Sequence, residues 1–111
     1  MDAINTAVEH VVNLLAERRY SDLEELTRSR RLTATQIEHA IKEYGREVIS
    51  PPHVELLDAD IVQVEGVSPP RYSVRYDLWT KEEGRSDLSI ELTIQFEHYG
   101  LQVELDNIHV L

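Results

Sequence analysis

Between residues 71 and 96, apolar and polar side chains alternate almost without interruption. Tyr72, Val74, Tyr76 and Leu78 fall on one side of an extended chain, and Leu88, Ile90, Leu92, Ile94 and Phe96 fall on one side of a second run. A period of two in residues that favour strands marks half-buried β-strands, so a long hairpin is predicted with the charged segment 81–87 as its loop. After the expected turn at His98-Tyr99-Gly100, a last strand carries Leu101, Val103 and Leu105. Its apolar phase then slips from odd to even positions, reaching Ile108. A β-bulge near Asp106-Asn107 is the expected cause, because one extra residue turns every later side chain over.

The period changes in the first half of the chain. Ile4, Ala7, Val8, Val11, Val12 and Leu15 recur at three and four residues, which predicts a helix over about 2–19 with Arg18 and Arg19 completing its last turn. Ser21-Asp22-Leu23-Glu24 has the form of a capping box for a short second helix through Thr27, with Leu23 and Leu26 facing inward. Thr33-Ala34-Thr35-Gln36 is a second such box. Leu32 before it is placed to pack on Ile37, the stripe Ile37, Ala40, Ile41, Tyr44 follows, and Gly45 stands where a left-handed residue would end the helix. The pairs Pro51-Pro52 and Pro69-Pro70 bracket a segment in which 60–65 reads as a short strand and 53–59 as either its extension or a loop. The sum is a single α+β domain over 1–111: three N-terminal helices packed on one face of a curved antiparallel sheet of about four strands.

Charge separates the two halves. The chain of 111 residues has a formal charge of -10; residues 1–50 hold nine acids against seven bases, and residues 51–111 hold twelve against four, so -2 and -8 of it fall on the two parts. An acidic sheet argues against a nucleic-acid partner, whose phosphates it would repel. Cysteine is absent, which excludes disulfides, thiolate metal sites and a cysteine nucleophile. With no apolar run near the roughly 18 residues of a membrane span and no basic leader, a soluble cytoplasmic protein is expected.

Candidate chemistry is sparse. The five histidines show no ligand spacing: His10 and His39 each follow a glutamate without a second histidine at i+4, and His39 with Glu43 reads as a surface pair. No nucleophile elbow or phosphate-cradling loop is present. Neither a cofactor nor a metal is implied, and no catalytic residue is assigned. Arg28-Ser29-Arg30-Arg31 is the positive patch, read as a solvated loop that offsets the acidic sheet, with an anion site as the alternative. On the outward sheet face, alternation places Arg75, Asp77 and Trp79 on one strand, Glu91 on the next, and Glu104 and Asp106 on the last. Arg75 is expected beside Glu91 and Glu91 beside Asp106, as a cross-strand ladder. Together with Glu82, Glu83 and Asp87 of the loop, these residues form the candidate partner-binding surface, with Trp79, the single tryptophan, as its aromatic anchor.

The order of three helices and a sheet resembles the nuclear transport factor 2-like (cystatin-like α+β cone) superfamily. The segments ELTRSRRLTATQIEHAIKEYG, ending at Gly45, and PPRYSVRYDLWTKEEGRSDLSIELTI, beginning at Pro69, are similar to a bacterial domain of unknown function placed near it. The resemblance implies a curved sheet wrapped around helices, frequent dimerisation through the sheet, and roles from ligand binding to toxin immunity. The Asp and His residues that serve the superfamily's enzymes have no counterparts at the inward strand positions here. The leading expectation is therefore a non-enzymatic immunity protein that neutralises a toxin domain, for instance a nuclease, through an acidic surface. A pocketed ligand binder or enzyme between helices and sheet is the alternative, and a sheet-mediated homodimer is a third reading.

Overall fold

The computed structural model describes residues 2–53, 58–98 and 100–110. Helices α1 (Asp2–Ala16), α2 (Tyr20–Leu26) and α3 (Ala34–Tyr44) precede strands β1 (Val48–Ile49), β2 (Asp60–Val64), β3 (Arg71–Thr80), β4 (Gly84–Glu97) and β5 (Gly100–Val110). The sheet is antiparallel and curled into a half-barrel, in the order β1-β3-β4-β5, and β2 also pairs with β3. β1 lies against the Trp79–Thr80 end of β3 and β2 against its Arg71–Arg75 end, so two short strands share one edge. At two residues, β1 is too short for any periodicity to reveal, which is why five strands stand where about four are expected.

The inward faces are those that alternation selects. Tyr72, Val74, Tyr76, Leu78, Leu88, Ile90, Leu92 and Ile94 are buried and pack with Ile4, Val8, Val11, Val12, Leu15, Leu23 and Ile37 from the helices in one cluster. Each fully buried Leu or Ile stabilises the fold by about 1.5–3 kcal/mol relative to exposure. Among the described buried polar residues none is a carboxylate or histidine, and the buried tyrosines are Tyr72 and Tyr76. Among the described residues the Tyr76 hydroxyl has no hydrogen-bond partner, and burial pushes its pKa up to about 12.

Two bulges shape the long strands. The β4–β5 register shifts between Glu91↔Asn107 and Leu92↔Leu105, which makes Asp106 the extra residue and returns Ile108 to the inward face opposite Ile90. The β3–β4 register shifts between Asp77↔Ser89 and Trp79↔Arg85. There the buried Ser86 hydroxyl donates to the Leu78 carbonyl at 2.8 Å and accepts from the Leu88 N–H at 3.1 Å, replacing ladder bonds that the bulge interrupts. Because β4 begins at Gly84, the hairpin connection is only residues 81–83, shorter than the expected 81–87. The side chain of Ser86 lets pairing extend into what charge alone marks as loop.

Two helices depart from expectation at their ends, and the third agrees with it. α1 stops at Ala16, before Arg18 and Arg19. The Arg19 N–H donates to the Leu14 carbonyl and the Arg18 N–H to the Leu15 carbonyl, with Arg18 at φ 58, so Arg18 occupies the left-handed position that ends the helix. α2 begins at Tyr20 with no side-chain cap, which puts Ser21 inside the helix and frees Glu24 for another partner. α3 is capped as expected: Thr33 accepts from the Gln36 N–H, Gln36 accepts from the Thr33 N–H, and Gly45 is left-handed at φ 80. The ambiguous segment 53–59 and the turn at Tyr99 fall partly outside the described residues. Among the described residues no helix is long and apolar enough to cross a membrane.

Candidate functional site

The turn between α2 and α3 places the basic cluster. Arg28 and Ser29 both have left-handed backbones, at φ 57 and 54. In a non-glycine residue that conformation costs roughly 1–2 kcal/mol, so something must hold it. The Arg28 N–H donates to the Glu25 carbonyl and the Ser29 N–H to the Glu24 carbonyl, while the buried Thr27 hydroxyl donates to the Leu23 carbonyl at 3.1 Å. The Glu24 carboxylate then accepts from the Ser29 hydroxyl at 2.6 Å and from the Ala34 N–H at the start of α3. These bonds hold Glu24 below the ordinary carboxylate range, the Ser29 hydroxyl being the larger cause. Glu24 thus ties α2, the turn and α3 together and sets the direction of the arginines.

Arg30 and Arg31 turn onto the outward sheet face. Arg30 Nη1 lies 3.3 Å from Glu104 Oε2, and Arg31 Nε lies 3.6 Å from Glu104 Oε1 and 3.5 Å from Asp106 Oδ1. The cluster is an exposed loop that offsets the acidic sheet, as its composition suggests, and Arg30 and Arg31 do so by clamping onto the two carboxylates of β5. A single-sequence reading has no means of seeing a contact across 74 residues.

Beneath the arginines, one row of the sheet carries Arg71, Gln95 and Gln102 on adjacent strands, paired Arg71↔Gln95 and Gln95↔Gln102. Arg71 donates from Nε and Nη2 to Gln95 Oε1 at 3.2 and 3.1 Å. Gln102 is buried at 5% exposure, and its Oε1 has no hydrogen-bond partner among the described residues. Leaving such an acceptor unpaired costs about 1–3 kcal/mol. These residues, with Thr93 and Glu104, line a cleft of about 290 Å³. Alternation already places Gln95 and Gln102 on the outward face; the convergence of Arg30, Arg31 and Arg71 around them comes from the tertiary fold.

The surface expected to bind a partner divides into two regions. Toward the centre, Arg75 and Glu91 are opposite each other as expected, yet Arg75 pairs with Asp60 at 3.1 Å and the Glu91 carboxylate lies 3.3 Å from His109 Nε2. Glu91 faces Asn107 and not Asp106, because the bulge sets Asp106 aside to meet Arg31 and to accept from the Thr93 hydroxyl at 2.6 Å. The expected ladder is thus replaced by contacts to Asp60, His109 and Thr93 and to the helix turn. Glu104 and Asp106 are mostly covered, their side chains 18% and 27% exposed.

The second region is the hairpin end. Asp77 accepts from the Ser89 hydroxyl at 2.6 Å and lies 3.4 Å from Arg85. Trp79 is half-buried against the core, and a side-chain carbon at Gly84 would lie 3.6 Å from its ring, so the indole lies along the hairpin end. Glu82 accepts from the Glu47 N–H at 3.0 Å, and Glu83 accepts from the Tyr44 hydroxyl at 2.7 Å and the Thr80 hydroxyl at 3.1 Å. Asp87 is exposed. Among the described residues no group of three or more His, Cys, Asp or Glu side chains is placed to hold a metal ion.

In comparisons with known proteins, no curated sequence and no solved structure matches the chain. One family model does, over residues 12–111, which include all of α2, α3 and the sheet, the arginine turn and both regions of the outward surface. The chain therefore belongs to the DUF7668 family, described as a domain of unknown function.

Proposed function

We propose that the chain is a non-enzymatic protein-binding module, most concretely an immunity protein that binds and neutralises a toxin domain, a basic nuclease being a fitting target. The observation that supports this reading is the fixed geometry of the acidic hairpin end. Glutamates at a hairpin tip ordinarily sample many rotamers, whereas Glu82 and Glu83 are each oriented by hydrogen bonds from Glu47, Tyr44 and Thr80. Side chains ordered beforehand lose less entropy on association. With Asp87 beside them and a net charge of -10 behind them, they attract a basic surface and select against an acidic one. The cone-shaped α+β superfamily, which this fold order resembles, includes such roles.

Co-expression with the protein encoded beside this one tests the reading. A stable complex by size-exclusion chromatography and relief of that protein's toxicity are expected; the absence of both would overturn it. Within such a complex, Asp87→Lys should slow association about tenfold at low salt and less at high salt, because steering is screened beyond about 10 Å. Unchanged association kinetics would move the interface away from the hairpin end.

A further inference from the structure

The cleft on the outward face, under the arginine turn, is distinct from the hairpin end and has its own chemistry. Arg30 and Arg31 reach it over the β5 edge, and Arg71 enters from β3, about two strand spacings or roughly 10 Å away. Three guanidiniums thus converge on Gln95 and Gln102, offset among the described residues by Glu104 and the neighbouring Asp106, a local excess of one positive charge in an otherwise acidic chain. The ionic contacts are long: 3.3 Å for Arg30, 3.5 and 3.6 Å for Arg31. Each guanidinium has five donors, and those contacts leave most of them unused. At the bottom, Gln102 is buried and closes the cleft beside Gln95.

We infer that this cleft binds a small phosphate monoester, held by Arg30, Arg31 and Arg71. A tetrahedral dianion offers oxygens to guanidiniums arriving from several directions, where a planar carboxylate serves one or two; its double charge also competes better with Glu104 for Arg30 and Arg31. A cleft of about 290 Å³ holds roughly ten water-sized groups, the scale of a phosphorylated three-carbon polyol. The net charge of the chain does not forbid this. At physiological salt, charges more than about 8 Å away are largely screened, and local contacts dominate.

Titration calorimetry on the intact protein with glycerol 3-phosphate, inorganic phosphate and glycerol tests the inference. Saturable binding of the ester at millimolar or lower concentration is expected, tighter than inorganic phosphate, with none for glycerol. Arg31→Gln, at an exposed position, should weaken both phosphates about tenfold, and Arg30→Gln should act alike. No saturable binding to the wild-type protein, or equal affinity in the arginine variants, would overturn the site. Equal affinity for ester and inorganic phosphate in the wild-type protein would overturn the assignment of an ester and leave a site for inorganic phosphate alone. The outcome is independent of the docking role proposed for Glu82 and Asp87, which lie outside the cleft.

Discussion

Single polar groups in this protein are either fully used or conspicuously left over. Tyr76 is of the second kind: its ring is buried at 2% exposure, and its hydroxyl meets no partner among the described residues. Tyr76→Phe removes an unsatisfied group without creating a cavity, so it should leave stability unchanged or raise it by up to about 1 kcal/mol; a loss in denaturant unfolding would reveal a partner for the hydroxyl. Glu24 is of the first kind. Its pKa is depressed in the folded state by the Ser29 hydroxyl and then the Ala34 N–H. The sign follows: its stabilisation is fully present above the unfolded value near 4.5 and is lost as pH falls through the lower, folded value. The stability difference between the wild-type protein and Glu24→Gln should therefore narrow as pH drops below about 4.5. Parallel stability–pH curves would refute the role of the carboxylate.

At the scale of elements, irregularities hold the functional geometry. The β3–β4 bulge depends on Ser86, which supplies an acceptor and a donor to two buried backbone groups. Ser86→Ala leaves both unpaired, and a loss of about 1–3 kcal/mol in denaturant unfolding is expected; a change within error would mean that the bulge satisfies itself. The α2–α3 turn stores strain in Arg28, exposed and left-handed at φ 57. Arg28→Gly relieves that strain but increases the freedom of the unfolded chain, for a net gain of about 0.5–1 kcal/mol. A lowered melting temperature would show that the arginine side chain contributes more than its backbone costs.

Across the whole molecule, an acidic sheet is joined to a less acidic helical layer by one basic turn. Replacing Arg30 and Arg31 together by Gln takes the formal charge from -10 to -12 and leaves Glu104 and Asp106 facing each other under partial cover. A loss of about 1 kcal/mol is expected at low ionic strength and a smaller one at high salt. Equal stability of the two proteins at low salt would mean that the clamp orients side chains without stabilising the fold. The same layout separates two surfaces, a fixed acidic hairpin end and an arginine-lined cleft, each open to test without disturbing the other.

Much of this architecture was legible in the chain itself. Alternation from Tyr72 to Ile94 identified the buried face, the slip before Ile108 located the bulge at Asp106, and Thr33, Gln36 and Gly45 bounded α3, because all of these follow from side-chain direction and local hydrogen bonding. Outward residues such as Glu91, Gln95, Gln102 and Glu104 were placed on the right face for the same reason. Their partners were not legible. Asp60 for Arg75, His109 for Glu91, and Arg30 and Arg31 for Glu104 and Asp106 are set by which strands become neighbours and by where a helical turn crosses the sheet edge. Local pattern determined the faces of this protein. Packing across distant segments determined what each face holds, since charge and hydrogen-bond partners depend on proximity in space and not on spacing in sequence.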